Sequence, residues 1–149
     1  MPLHAQQQIL NALQALLAAG GTVAGTRVYL DRVDPLQSDE LPAILIEEED
    51  GETAEPYTIH GLEQRELSVS ISAVLAHSST AAADARAFGL AVEKLIAPST
   101  ALAALAKLGV RITASRPHNN GEGDRLLAAR QQSWRFTYLV NAASPDIIF

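Results

Sequence analysis

Four carboxylates in succession, Glu47-Glu48-Glu49-Asp50, are the densest cluster of reactive side chains in this chain. Such residues suit general acid–base work or a cation, and Asp124 could supply a further carboxylate. A metal nuclease built on acids of this kind needs a lysine two residues beyond them, and Glu47-Glu48-Glu49 offers none. Spacing alone does not fix how far apart two of these carboxyl groups stand. The run therefore has two readings, a solvated strand end and loop, or a contact for a cation or a basic partner. The four histidines, His4, His60, His77 and His118, share no metal-ligand spacing. His118 alone has company, with Asn119, Glu122 and Asp124 on one predicted turn, which fits either an oxygen-loving cation or ordinary turn chemistry.

Other chemistries fail on inventory. Cysteine is absent, which excludes disulfide frameworks, thiolate nucleophiles and cysteine-based zinc or iron–sulfur sites. Both lysines, Lys94 and Lys107, lack the Gly-Lys-Ser/Thr context of a phosphate-binding loop. The glycine-rich stretch Gly20 to Gly25 follows a helix rather than a strand, the reverse of the dinucleotide-binding order. No Gly-x-Ser-x-Gly elbow is present. The expectation is a protein that is not an enzyme and uses no cofactor or metal.

The nine arginines carry more information. Arg27, Arg32, Arg65, Arg111, Arg116 and Arg135 lie in or beside predicted strands. They read as edge charges that deter aggregation, or as one half of a complementary pair of faces, the acidic run being the other. Contacts of the second kind between identical subunits run head to tail and close into rings.

The elements that place these residues follow from periodicity. Leu3 to Ala19 reads as a helix with Ile9, Leu10, Leu13, Leu16 and Leu17 on one stripe, stopped by Gly20-Gly21. Arg27-Val28-Tyr29-Leu30 reads as a short strand, and Asp34-Pro35 opens a polar connection to Leu41-Pro42. Ala43-Ile44-Leu45-Ile46 is a buried strand whose acidic end projects into a loop or irregular hairpin over Asp50 to Gln64, marked by Gly51, Pro56 and Gly61. Glu66 to Leu75 alternates, with Leu67, Val69, Ile71, Ala73 and Leu75 inward and serines outward. That serine face is either wet or packed against a neighbouring subunit.

Ser78-Ser79-Thr80 offers caps for a helix to Ile96 whose stripe is Phe88, Val92, Leu95 and Ile96, ended by Pro98. A short helix over Ala101 to Leu108, closed by Gly109, precedes a strand over Val110 to Ala114 and a turn over Pro117 to Asp124. Leu126 to Asn141 is the last strand, with Trp134, Phe136, Tyr138 and Val140 on one face and Arg135, Thr137 and Leu139 on the other. A short tail, 142–149, ends in Ile147, Ile148 and Phe149, which fold back onto the core or dock on a neighbour. The pattern predicts an α+β fold, a mostly antiparallel sheet with two principal helices packed on one face.

At 149 residues the chain fits one domain, 1–149, able to bury roughly 70% of the surface that its unfolded form exposes. The start has no basic leader, and the apolar stretch Ile9 to Ala19 is too short to span a bilayer. A cytosolic protein with no membrane partner is expected. A formal charge of −6, from 11 basic and 17 acidic residues, argues against a general nucleic-acid coat and leaves room for a local basic patch; no direct sequence-specific nucleic-acid partner is expected.

In order and pattern these elements resemble the tail terminators of long-tailed bacteriophages, the group that includes the lambda-type minor tail protein U. The stretches that carry the likeness are the helix Ile9 to Leu17 with Arg27-Val28-Tyr29; Leu41-Pro42-Ala43-Ile44-Leu45-Ile46 with its acidic continuation; Arg65-Glu66-Leu67-Ser68-Val69-Ser70-Ile71 leading to Val92-Glu93-Lys94-Leu95-Ile96; and Trp134-Arg135-Phe136-Thr137-Tyr138. The resemblance implies a structural subunit that assembles as a homo-hexameric ring on the tail tube, stops its polymerisation and offers a surface for joining the head. Its partners would be further copies of itself, the tail tube protein and a head-completion or connector protein. Its places would be the host cytoplasm during assembly and the virion tail. Alternatives are another head–tail joining or tail-completion protein, or a small cytosolic ligand-binding domain or enzyme. The resemblance pins no individual residue. Arg27, Arg32, Arg65, Glu47, Glu48, Glu49 and Asp50 are expected at ring contacts, with Ile147, Ile148 and Phe149 as further subunit or tube contacts.

Overall fold

A computed structural model of the chain describes residues 2–57, 60–122 and 125–149. The chain order is α1 (Ala5–Ala19), β1 (Val28–Leu30), a short 3-10 turn (Ser38–Glu40), β2 (Ala43–Pro56), β3 (Leu62–Ala76), α2 (Ala81–Ile96), α3 (Thr100–Leu105), β4 (Gly109–Glu122), β5 (Arg125–Asn141) and β6 (Ser144–Ile148). The strands form one sheet in the order β1-β2-β3-β5-β4, and β6 pairs with the end of β5. Among the described residues only β1 and β2 run parallel, and every other pair is antiparallel. This is the expected α+β fold. Two long hairpins, β2–β3 and β4–β5, stand side by side, joined along β3 and β5 from Leu62↔Asn141 to Ala76↔Leu127.

The core lies between the helices and one face of this sheet. The alternation of β3 puts Leu67, Val69, Ile71 and Ala73 under the helices beside Phe136 and Trp134 of β5 and Ile44 and Ile46 of β2. Helix α1 contributes Ile9, Leu10, Leu13 and Leu17, and α2 contributes Phe88, Val92 and Ile96. Each such side chain, fully buried, stabilises the fold by about 1.5–3 kcal/mol relative to exposure. Close approach of α2 to β5 depends on Gly89, where a Cβ would stand 3.0 Å from Gln132 Nε2. That amide donates to the Gly89 carbonyl at 2.9 Å and accepts from Trp134 Nε1 at 3.0 Å, so one buried glutamine ties helix to sheet.

Three expectations need correction. The stretch Asp50 to Gln64, expected as a loop or irregular hairpin rather than a firm strand, is a bulged hairpin and largely strand: β2 runs on to Pro56 and β3 begins at Leu62. A bulge at Glu49 to Gly51, with Asp50 at φ 59° and Gly51 at φ 74°, resets the alternation and hides the continuity. The predicted turn over Pro117 to Asp124 is also strand as far as Glu122, Gly123 and Asp124 lying outside the described residues. Pro117 is tolerated because β4 has β5 on one side and no strand on the other among the described residues. Finally, Leu126 to Asn141 does not hold the last strand: the tail 142–149 contains β6, whose Ile148 packs against the core, the folding back that is one of the two expectations, and whose following residue donates an N–H to the Leu139 carbonyl at 3.0 Å. No helix among the described residues is long and apolar enough to cross a membrane.

Candidate assembly surface

The face of the sheet turned away from the helices is lined by the other set of alternating residues. It carries Glu47 of β2, Ser68, Ser70 and Ser72 of β3, Gln131, Ser133 and Arg135 of β5, and Arg111 and Arg116 of β4. The serines point outward as expected, yet Ser70 and Ser133 are buried. Their small side chains form a lane across which longer ones lie flat. Ser133 Oγ donates to Glu49 at 2.7 Å and accepts from Arg116 Nη2 at 3.1 Å, while Arg116 also reaches Glu49 at 3.3 Å. Gln131 Nε2 donates to Ser70 Oγ at 2.9 Å. A carboxylate from β2 and a guanidinium from β4 thus meet over the two central strands.

Beside this face stands the connection from β1 to β2. Arg32 stacks over the Tyr29 ring, 4.5 Å from its centroid, and grips both oxygens of Glu40 at 2.6 and 2.7 Å. It also donates to the carbonyls of Asp34 and Pro35. The Arg32 hydrogen bond and a backbone N–H from Gln37 hold the Glu40 carboxyl down at about 2. Pinned in this way, the connection walls a groove of about 740 Å3 whose floor includes Leu45, Ser72, Val74, Ala129 and Gln131. His118 lines it, but no hydrogen bond among the described residues joins that imidazole to a hydroxyl or carboxylate.

The arginines expected at contacts are engaged inside the chain. Arg27 donates to the Pro42 carbonyl at 2.8 Å and the Val23 carbonyl at 3.2 Å, closing the loop before β1 onto β2. Arg32 is the clip just described. Arg65 lies on the helix side, bonded to Glu52 at 2.8 Å and Glu63 at 2.7 Å, with Nη1 3.1 Å from Nε2 of His4. His4 in turn caps α1, its Nδ1 accepting from the Gln6 N–H. Burial works against the Arg65 charge, but Glu52 and Glu63 outweigh it and hold the guanidinium above its usual range. Tyr138, fully buried, donates its hydroxyl to Glu52. Burial first, then this carboxylate, pushes the phenol far above its ordinary 10.0.

The acidic run divides. Glu49 is spent on Ser133 and Arg116, while Glu47, Glu48 and Asp50 are exposed and in no ion pair among the described residues. At the C-terminus Ile147 and Phe149 stay 46% and 43% exposed, in contrast to Ile148. The cation arrangement of His118, Asn119, Glu122 and Asp124 lies in part outside the described residues. Among those described, no group of three or more His, Asp or Glu is placed to hold a metal ion.

Besides the outer sides of the short strands β1 and β6, two longer lengths of strand edge are free among the described residues. β1 covers β2 only over Ile44 to Ile46, leaving Glu47 to Pro56 without a strand on that side, and β4 has none on its outer side. On β4, Arg111 sits directly opposite Arg135 of β5, two cations side by side; among the described residues the carboxylate within 4.0 Å of the pair is Glu66, 3.9 Å from Arg135. Like charges in that position destabilise a sheet. The sequence signal for this pair was present, since both arginines fall out of phase with the buried stripe of their own strands. What it could not show was that they face each other. No family model and no curated protein matches the chain.

Proposed function

We propose that this chain is a structural assembly subunit, a phage or prophage tail terminator that caps the tail tube as a hexameric ring, halts tube growth and presents a surface for head joining. The observation that carries the reading is one sheet with two free edges of opposite charge, acidic along β2 and basic along β4. A subunit with two unlike, complementary edges associates head to tail, and closure of such contacts gives a ring. The order of elements set out above supports the same conclusion. The work assigned is interfacial rather than catalytic, with further copies of the chain, the tube protein and a head-completion or connector protein as partners. Assembly would take place in the host cytoplasm and leave the protein in the virion tail.

Tube growth in the presence of the purified chain tests this. Tube protein polymerising alone gives long, uneven tubes. With the chain added at increasing ratio, electron microscopy should show shorter tubes bearing a terminal density. Tubes of unchanged length and bare ends contradict the proposal. The groove beside the Arg32 loop favours one rival, a small ligand-binding domain. That rival predicts thermal stabilisation by a small molecule that contacts Leu45 and Val74 and is lost on enlarging Ala129.

A further inference from the structure

The pairing registers place the two free edges on common rows of the sheet. Glu48 is opposite Val69, Val69 opposite Trp134, and Trp134 opposite Ile112. Glu52, Leu67, Phe136 and Val110 form another row. Between these two runs a third, through Ser68. It has Arg111 and Arg135 at the β4 end and the bulge Glu49 to Gly51 at the β2 end. A single row of this sheet therefore begins with two opposed arginines and ends with an acidic bulge.

Strand directions agree with that alignment. β2 is antiparallel to β3, β3 to β5 and β5 to β4, so β2 and β4 run antiparallel to each other. Setting Glu47 to Pro56 of one copy beside Gly109 to Ala114 of the next continues the sheet with an antiparallel pair and needs no stagger; from Ser115 onward β4 falls on the rows where β1 already flanks β2, so the contact ends there. Arg111 then lies next to the exposed Asp50 of its neighbour. Arg111 is itself exposed and in no ion pair among the described residues.

We propose that Arg111, backed by Arg135, is the cationic half of a head-to-tail contact with a second copy of this chain, and that Asp50 and Glu47 are the acidic half. The proposal rests on the ring reading above and adds its geometry: edge to edge, row on row, with the open serine face continuous from copy to copy. It moves the contact arginine from Arg27, Arg32 and Arg65, which hold their own chain together, to the β4 edge. A neighbour's carboxylate relieves the Arg111–Arg135 repulsion that the isolated subunit carries.

Two variants test it, each disabling one edge. Arg111→Glu spoils the β4 side. Glu47→Gln with Asp50→Asn spoils the β2 side, and asparagine accepts the positive φ found at residue 50. Each variant alone should self-associate at least about 10-fold more weakly than the wild type. An equimolar mixture should form dimers that grow no further, because each pair leaves two disabled edges outward. At a dilution where the wild type is monomeric, Arg111→Glu should melt at or above the wild-type temperature, since it removes a like-charge pair. Arg86→Glu, an exposed charge change on α2, is the control and should assemble normally. Arg111→Glu assembling like the wild type overturns this inference and leaves the ring standing. A wild-type chain that stays monomeric at every concentration overturns both.

Discussion

Replacing Arg65 by methionine separates a residue that holds the subunit together from one that joins subunits. The guanidinium is 18% exposed, and its partners Glu52 and Glu63 are 8% and 26% exposed. Taking the cation from a mostly buried pair leaves a desolvated carboxylate behind, which costs about 3–5 kcal/mol. Here Glu52 keeps the Tyr138 hydroxyl as a donor, which offsets part of that loss and sets the expected cost at about 2–3 kcal/mol. Methionine retains most of the apolar stem, so little of the effect comes from packing. The more exposed Glu63→Gln should cost only about 0.2–1 kcal/mol. For a chain of this length, Arg65→Met should lower the melting temperature by roughly 4–12 °C. Urea unfolding followed by circular dichroism measures both variants, with an unchanged m-value confirming that stability alone has moved. If Arg65→Met unfolds like the wild type but fails to assemble, the internal role argued for Arg65 is wrong and the residue belongs to the interface.

Gln132→Ala should destabilise by about 2–3 kcal/mol in the same assay, because the buried Trp134 N–H loses its acceptor and α2 loses its tie to β5. The Arg32–Glu40 clip makes a pH prediction. With the folded carboxyl lowered from 4.5 to about 2, its stabilisation is complete above pH 4.5 and is lost as the pH falls towards 2. Wild type should therefore exceed Glu40→Gln by a constant margin at neutral pH, a margin that shrinks only below 4.5; a margin that fades nearer pH 6 would contradict the assignment. At the C-terminus, Ile148→Ala should cost about 1–2 kcal/mol by opening space against the core. Phe149→Ser should leave monomer stability within about 0.5 kcal/mol.

Alternation made most of the sheet legible. The stripes of β3 and β5 identified Leu67, Val69, Ile71, Trp134 and Phe136 as core, and the helical stripes of α1 and α2 were equally clear. The failures fall on edges. Gly51, Pro56 and Pro117 are turn residues by composition, but the outer sides of β2 and β4 need no N–H for a neighbouring strand, so the strands continue through them. The bulge at Glu49 to Gly51 compounded this by shifting the phase of the residues after it. Charges were harder to place than apolar residues. Arg65 finds its carboxylates 2 and 13 positions away, and nothing in their spacing says that β2 and β3 bring all three together under the start of α1. The serine face was correctly read as outward, but that Glu49 and Arg116 cover it from opposite sides depends on the order of four strands, which periodicity does not encode.

The central claim is that the chain builds a closed ring from identical subunits. Sedimentation of the wild-type protein over a wide concentration range, with negative-stain imaging of the largest species, tests it most directly. The account predicts a discrete particle near six times 15.9 kDa with an open centre and no larger or open-ended series. A protein that remains at 15.9 kDa throughout, or that forms closed dimers through one self-complementary patch, would contradict it.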